Sequence, residues 1–122
     1  MDIFATVCEA AGVKTPAEVE ALSFLPTLLG RDQAPPQRDL YFVRREGGNT
    51  YGGETIEALI RGRWKLLQDS PWAPLELYDL VTDSQETRNV ADQERSVFND
   101  LSAALRRHIQ RGGETPWQPV VR

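Results

Sequence analysis

A chain of 122 residues, 40% of them hydrophobic, has the length and apolar content of one ordinary folded domain and too much apolar matter for a disordered segment. A net charge of −4 and a pI near 5.0 speak against nucleic acid as a partner, because phosphate binding draws on clustered Lys and Arg. One cysteine and one histidine exclude an internal disulfide framework and a zinc-type ligand cluster, no apolar run approaches the ~20 residues that span a bilayer, and Met1-Asp2-Ile3 opens with an acid rather than the basic start of a signal peptide.

In chain order, Asp2 is placed to cap a helix running to about Ala11 and ended by Gly12. Ile3, Phe4, Val7, Ala10 and Ala11 share one face of it at helical spacing. A helix this short is marginal alone and needs a surface to pack on. Pro16 can open a turn of helix through Ala21. Ser23 then caps a second short stretch, Phe24 to Leu29, ended by Gly30. Gln33 to Gln37, with Pro35-Pro36, reads as a linker.

Strand signals follow. Asp39 to Arg44 is rich in aromatic and β-branched residues, and Thr55 to Arg61 is a second strand. Gly62 marks a tight turn into a third strand, Arg63 to Gln68, which makes the pair a hairpin. A loop from Asp69 to Pro74 carries Trp72 between two prolines and leads to a fourth strand, Leu75 to Asp79. The last element is a helix from about Asp92 to Gln110. Its stripe is Val97, Leu101, Ala104, Leu105 and Ile109, joined by Phe98, and Gly112-Gly113 ends it. Strands in sequence followed by one long helix predict an α+β fold: a small antiparallel sheet of about four strands, with a C-terminal helix packed on one face. The N-terminal helix and extended connector, residues 1–37, form a separate part, and residues 38–122 form the α+β unit.

The side chains with chemistry to offer are few. Cys8 lies in an apolar helical pattern and reads as a small buried hydrophobe. His108, the only histidine, stands beside an apolar stripe with no partner acid or nucleophile evident in the sequence. Asp79, Asp83 and Glu86 do not have the spacing or the glycine of an EF-hand loop, so Asp83 and Asn89 read as turn and cap residues. Trp64 and Leu66 face the core, opposite Arg63 and Lys65. Tyr41 and Tyr78 read as packing residues. The basic pairs Arg44-Arg45, Arg61-Gly62-Arg63 and Arg106-Arg107 each read as solvated surface.

The stretch from Arg44 to Gly53 is the best candidate for a binding site. Four glycines let backbone approach a ligand, Arg44 and Arg45 offer bidentate contacts to a sulfate or carboxylate, Asn49 adds a polar contact, and Tyr51 can stack on a ring. The same composition describes a plain surface loop, and the residues alone do not separate the two. The segment has no G-x-x-x-x-G-K-S/T pattern and is no phosphate cradle.

Four segments in order carry a family resemblance. They are Asp2-Ile3-Phe4-Ala5-Thr6 with Ala11-Gly12-Val13 and Pro16; Leu22 to Gly30; Ala58 to Leu66, which contains Arg61-Gly62-Arg63-Trp64-Lys65-Leu66; and Leu75 to Ala91, which contains Glu76-Leu77-Tyr78-Asp79-Leu80. Together they resemble the C-terminal part of formylglycine-dependent sulfatases of the alkaline-phosphatase-like superfamily. Ala5 and Ser84 stand where that family usually has proline.

The resemblance implies a four-stranded sheet with a C-terminal helix, docked beside a large catalytic domain. It implies sulfate ester hydrolysis there, by a formylglycine hydrate and a divalent metal, usually calcium. Neither the C/S-x-P-x-R nucleophile motif nor the paired-Asp metal motif occurs in this chain, since Cys8 is followed by Glu9-Ala10-Ala11. No catalytic or metal residue is therefore assigned here, and the chain alone is expected to be inactive. The expected partners are a sulfatase catalytic domain or a second copy of the chain, with a sulfate ester substrate only in the full-length enzyme. The alternative is a self-associating interaction module without enzymatic activity. The family is usually periplasmic, secreted or lysosomal.

Overall fold

The computed structural model describes residues 2–34, 38–45 and 55–114. The chain divides into two compact units, residues 1–37 and residues 38–122.

The first unit holds α1 (Asp2–Ala10) and α2 (Leu25–Leu28). Both helices end in the same way. After α1, Gly12 at φ +70° lets its own N–H donate to Glu9 O at 3.0 Å and Val13 N–H donate to Cys8 O at 2.8 Å. After α2, Gly30 at φ +69° does the same, with Gly30 N–H on Thr27 O at 3.0 Å and Arg31 N–H on Pro26 O at 2.9 Å. These paired bonds are the Schellman closure, which needs a left-handed residue that glycine supplies without a Cβ clash.

Asp2 is the first residue of α1 rather than a cap before it, and its carboxylate accepts Leu22 N–H at 3.1 Å. Thr6 Oγ1 accepts Phe24 N–H at 3.1 Å, so two side chains tie the 22–24 segment to the helix. α2 is shorter than Phe24 to Leu29 and its cap residue is Phe24 rather than Ser23, whose Oγ accepts Leu25 N–H at 3.1 Å from one position further out. The turn at Pro16 holds one bond, Val19 N–H to Pro16 O at 3.1 Å, and no helix forms to Ala21. A stretch that short cannot offset the cost of helix nucleation. The buried residues of α1 are Ala5 and Thr6, while Ile3, Phe4 and Val7 are 68%, 51% and 60% exposed.

The second unit is a four-stranded antiparallel sheet, β1 (Leu40–Arg45), β2 (Thr55–Arg61), β3 (Trp64–Gln68) and β4 (Glu76–Asp79), ordered as in the chain, and the helix α3 (Arg95–Glu114). The register places Tyr41, Leu59, Leu66 and Leu77 side by side. Alternation along each strand sends that row to one face. Leu59, Leu66 and Leu77 are fully buried there against Leu101, Ala104 and Leu105 of α3, with Trp64, Val97, Phe98 and Ile109 packed around them. The opposite face carries Leu40 and Phe42, both exposed, beside the half-buried Ile56, Ala58, Ile60 and Leu67.

The β2–β3 connection is two residues, Gly62 and Arg63, so β3 begins one residue later than its composition suggests. Gly62 has φ +57° and Arg63 does not have a positive φ, the pattern of a type II′ turn with glycine at its first central position. A Cβ at Gly62 would meet nothing within 4 Å, so any penalty there comes from the backbone angle alone. Gly62→Ala is expected to cost about 1–2 kcal/mol, read as a lower urea midpoint with an unchanged slope.

Helix α3 starts at Arg95 rather than near Asp92, because Asn89 Oδ1 accepts both Leu77 N–H at 3.1 Å and Ala91 N–H at 3.0 Å. Those bonds hold residues 89–91 against β4 in a non-helical turn. At the other end α3 runs through Gly112 to Glu114, so the glycine pair does not stop it. Gly in a helix costs only ~1 kcal/mol, which a long anchored helix tolerates.

Candidate functional site

Antiparallel order gives the sheet two unlike ends. At one end β1 finishes, β2 begins, and the β3–β4 connection emerges. Arg44 lies there opposite Ile56 and is exposed, and Arg45 lies opposite Thr55 at the last position of β1. These are the two arginines singled out as anion contacts. Asn49 and Tyr51, the other two candidates, lie outside the described residues.

The opposite end is closed by ion pairs. Arg63, in the turn, places Nε on Asp79 Oδ1 at 2.7 Å and Nη2 on Asp79 Oδ2, a two-pronged contact across the mouth of the hairpin. Leu80 N–H bonds Arg63 O at 2.8 Å beside it. Arg61 grips Asp39 in the same two-pronged way, at 2.5 and 2.8 Å, and Lys65 meets Glu86 at 2.5 Å. Asp79 also accepts Val81 N–H at 3.2 Å and Thr82 Oγ1–H at 2.8 Å. The Arg63 guanidinium in particular holds the Asp79 carboxyl far below its ordinary value, with the Thr82 and Val81 bonds adding to that and burial opposing it. Asp83 is lowered by backbone N–H groups of Thr87 and Arg88, the mark of a turn residue.

A cavity of about 210 Å³ opens at this closed end, lined by Trp64, Asp79, Thr82, Asp83, Arg88 and Gln93 among others. Its polar groups answer one another. Asp79 and Asp83 are bonded as above, and Arg88 Nη2 donates to Gln93 Oε1 at 2.7 Å. The Arg63 guanidinium lies 5.3 Å from the Trp64 ring centre. The cavity is a seam between the turn and the segment before α3, and Asp79, Thr82, Asp83, Arg88 and Gln93 hold that seam.

His108 does have an acid nearby, contrary to its sequence reading. Its Nε2 is 3.6 Å from Asp39 Oδ2, and its ring stacks on Tyr41 at 5.4 Å and 12°. Asp39 is 69 positions away in the chain, so only the fold brings the two together. Tyr41 Oη–H donates to Glu57 Oε1 at 3.0 Å. Asp39 is lowered chiefly by Arg61, against burial, with His108 adding to it. The group fastens α3 to β1 and β2. Tyr78 is buried and donates to Glu76 Oε2 at 2.7 Å, which together with burial pushes its phenol up to about 12.

These residues do not fit a formylglycine or a calcium site. Cys8 sits within α1, followed by Glu9 and Ala10, and no set of three or more His, Cys, Asp or Glu side chains converges among the described residues.

The sequence pattern described as N-sulphoglucosamine sulphohydrolase, C-terminal, matches residues 1–113. Two curated proteins of Bacteroides thetaiotaomicron are similar to this chain. One is an N-acetylgalactosamine-6-O-sulfatase, 33% identical over 86% of this chain and 22% of its own length. The other is a Delta 4,5-hexuronate-2-O-sulfatase, 32% identical over 75% of this chain and 19% of its own length. The chain thus spans about a fifth of the length of the curated relatives it matches. Among solved structures, a 2-O GAG sulfatase superposes with a TM-score of 0.72 at 24% identity, covering 90% of this chain and 24% of that one, which establishes the fold. With its sheet, its helices and a family match over nearly its whole length, the chain belongs to the family of sulfatase C-terminal domains.

Proposed function

We propose that this chain is the non-catalytic C-terminal part of a sulfuric ester hydrolase. It completes the fold of a catalytic portion and lends one sheet end to the substrate entrance. The observation that carries this reading is its match to about a fifth of sulfatases several times longer. The nucleophile and the divalent metal belong to the catalytic portion, with formylglycine and calcium the groups expected there. Arg44, Arg45, Asn49 and Tyr51 are the proposed contacts to the sulfate ester at the entrance.

The exposed stripe of Ile3, Phe4 and Val7 supports docking on a catalytic portion, since a contiguous apolar helix face is a normal association surface. The same stripe favours a second reading, in which two copies of the chain cover it for each other. Purified chain is expected to leave an aryl sulfate unhydrolysed. Turnover that survives further purification would sink the non-catalytic reading. Sedimentation equilibrium separates the two partners. A dimer that Phe4→Glu converts to monomer supports self-association, and a monomer supports docking on a separate catalytic portion.

A further inference from the structure

Trp72 is 93% exposed, the most exposed large apolar side chain among the described residues. Its loop is held firmly. Ala73 N–H donates to Ser70 O at 3.0 Å and to Ser70 Oγ at 3.2 Å, and Gln68 Nε2 donates to Ala73 O at 3.2 Å. Pro71 and Pro74 bracket the turn and fix two backbone angles. An indole exposed to this degree leaves its ring open to a flat partner. A braced turn also presents the ring with little ordering left to lose on binding.

Position narrows the partner. The β3–β4 connection leaves the sheet at the end where β1 finishes, the end that bears Arg44 and Arg45. β3 and β1 are two strands apart, which places the Trp72 turn on the order of 10 Å across the sheet from the end of β1. Within its loop Trp72 has no other exposed large hydrophobic neighbour, whereas protein-docking anchors come in clusters. Asp69 stands at the start of the turn and is exposed, and an acid there suits hydroxyl donors and disfavours an anion. An exposed ring with a hydroxyl acceptor three residues away in the same short turn suits the apolar C–H face and the hydroxyls of a pyranose.

We propose that Trp72 is a saccharide platform that stacks the ring of a sugar unit next to the sulfated one. This inference rests on reading that sheet end as the substrate entrance. It adds a residue and a ligand chemistry to it: an uncharged ring face, not a sulfate.

The test is titration of the ¹⁵N-labelled 122-residue chain with an N-acetylgalactosamine-containing tetrasaccharide, sulfated and desulfated, with indole N–H signals assigned by single Trp→Phe replacements. The Trp72 signal is expected to move with both sugars, and the Trp64 signal to stay. Free sulfate should move neither. Trp72→Ala should weaken binding about tenfold, the loss of one aromatic contact, and Trp72→Phe should keep part of it. Three results would overturn the proposal. One is no movement of the Trp72 signal at tens of millimolar sugar. Another is full affinity in Trp72→Ala with an unchanged spectrum elsewhere. The third is a Trp72 signal that responds to protein concentration and not to sugar, which would mark a protein contact. None of these bears on whether the chain hydrolyses aryl sulfate or dimerises, so the two readings fail separately.

Discussion

Leu66→Ala is expected to destabilise the sheet-and-helix unit by about 2–5 kcal/mol, the range for truncating a fully buried leucine. Leu66 has no exposure, sits between Leu59 and Leu77 in the sheet, and belongs to the cluster that includes Leu101 and Leu105. No larger side chain stands ready to move into the space, because its lateral neighbours are themselves held by the strand register. For a unit of this size roughly 3 kcal/mol lowers the thermal midpoint by about 12–24 °C. Leu67→Ala is the control. Leu67 is the next residue on the same strand but points to the opposite face, where it is half-buried. It should cost about 1 kcal/mol, since less surface is returned to water. Circular dichroism melts of the two variants check the contrast, and equal losses would mean that α3 does not define the core face.

Much of this fold was legible because the unit is built from local signals that agree with one another. Thr55 to Arg61 reads as a strand and forms β2 with those limits. Gly62 reads as the turn and supplies the positive φ. Leu101, Ala104 and Leu105 read as the helix stripe and are the residues buried on the sheet. What the sequence hid was decided by bonds between distant positions. The start of α3 depends on Asn89 reaching Leu77 N–H across 12 positions, which no helical period reveals. Its continuation through Gly112 reflects anchoring by the core stripe, which outweighs the poor helix propensity of glycine. The turn at Pro16 had the right first residue and too few bonds to become a helix.

Arg44 and Arg45, read as the start of a loop, are the last two residues of β1, because the pairing with β2 continues to Arg45 opposite Thr55. Trp72 was visible as a tryptophan between prolines, yet its exposure was not, since composition cannot say which side of a loop faces water. The acid beside His108 was missed because Asp39 and His108 meet only through the packing of α3 on β1 and β2. Of the acids near Asp79, Asp83 reads as a turn residue in the sequence, while the partners of Asp79 and Glu86 are not evident there. Each is occupied: Asp79 by Arg63, Asp83 by its own turn, and Glu86 by Lys65.

Among the described carboxylates, Asp79 is the one through which acid should act most strongly on the stability of this chain. Arg63, Thr82 and Val81 all favour its ionised form, and its side chain is only 11% exposed, so its folded value lies well below the unfolded value near 3.8. A group lowered by folding contributes stability that is whole above its unfolded value. That contribution drains away as pH falls through 3.8 towards the folded value, because the unfolded chain then binds the proton first. Asp39 and Asp83 are lowered too and act in the same direction. The melting temperature is therefore expected to be flat from pH 7 to about 5 and to fall steeply below 4. Asp79→Asn keeps the size of the side chain, removes the charge, and leaves Arg63 without its counter-ion. It should lower the melting temperature at pH 7 and make the acid limb shallower, so that the gap between variant and parent narrows as pH falls from about 4 to about 2. Thermal melts of the two proteins at half-unit steps from pH 7 to 2 give the answer. Parallel curves across the whole range would show that the Arg63–Asp79 contact closes the hairpin end without contributing to its stability.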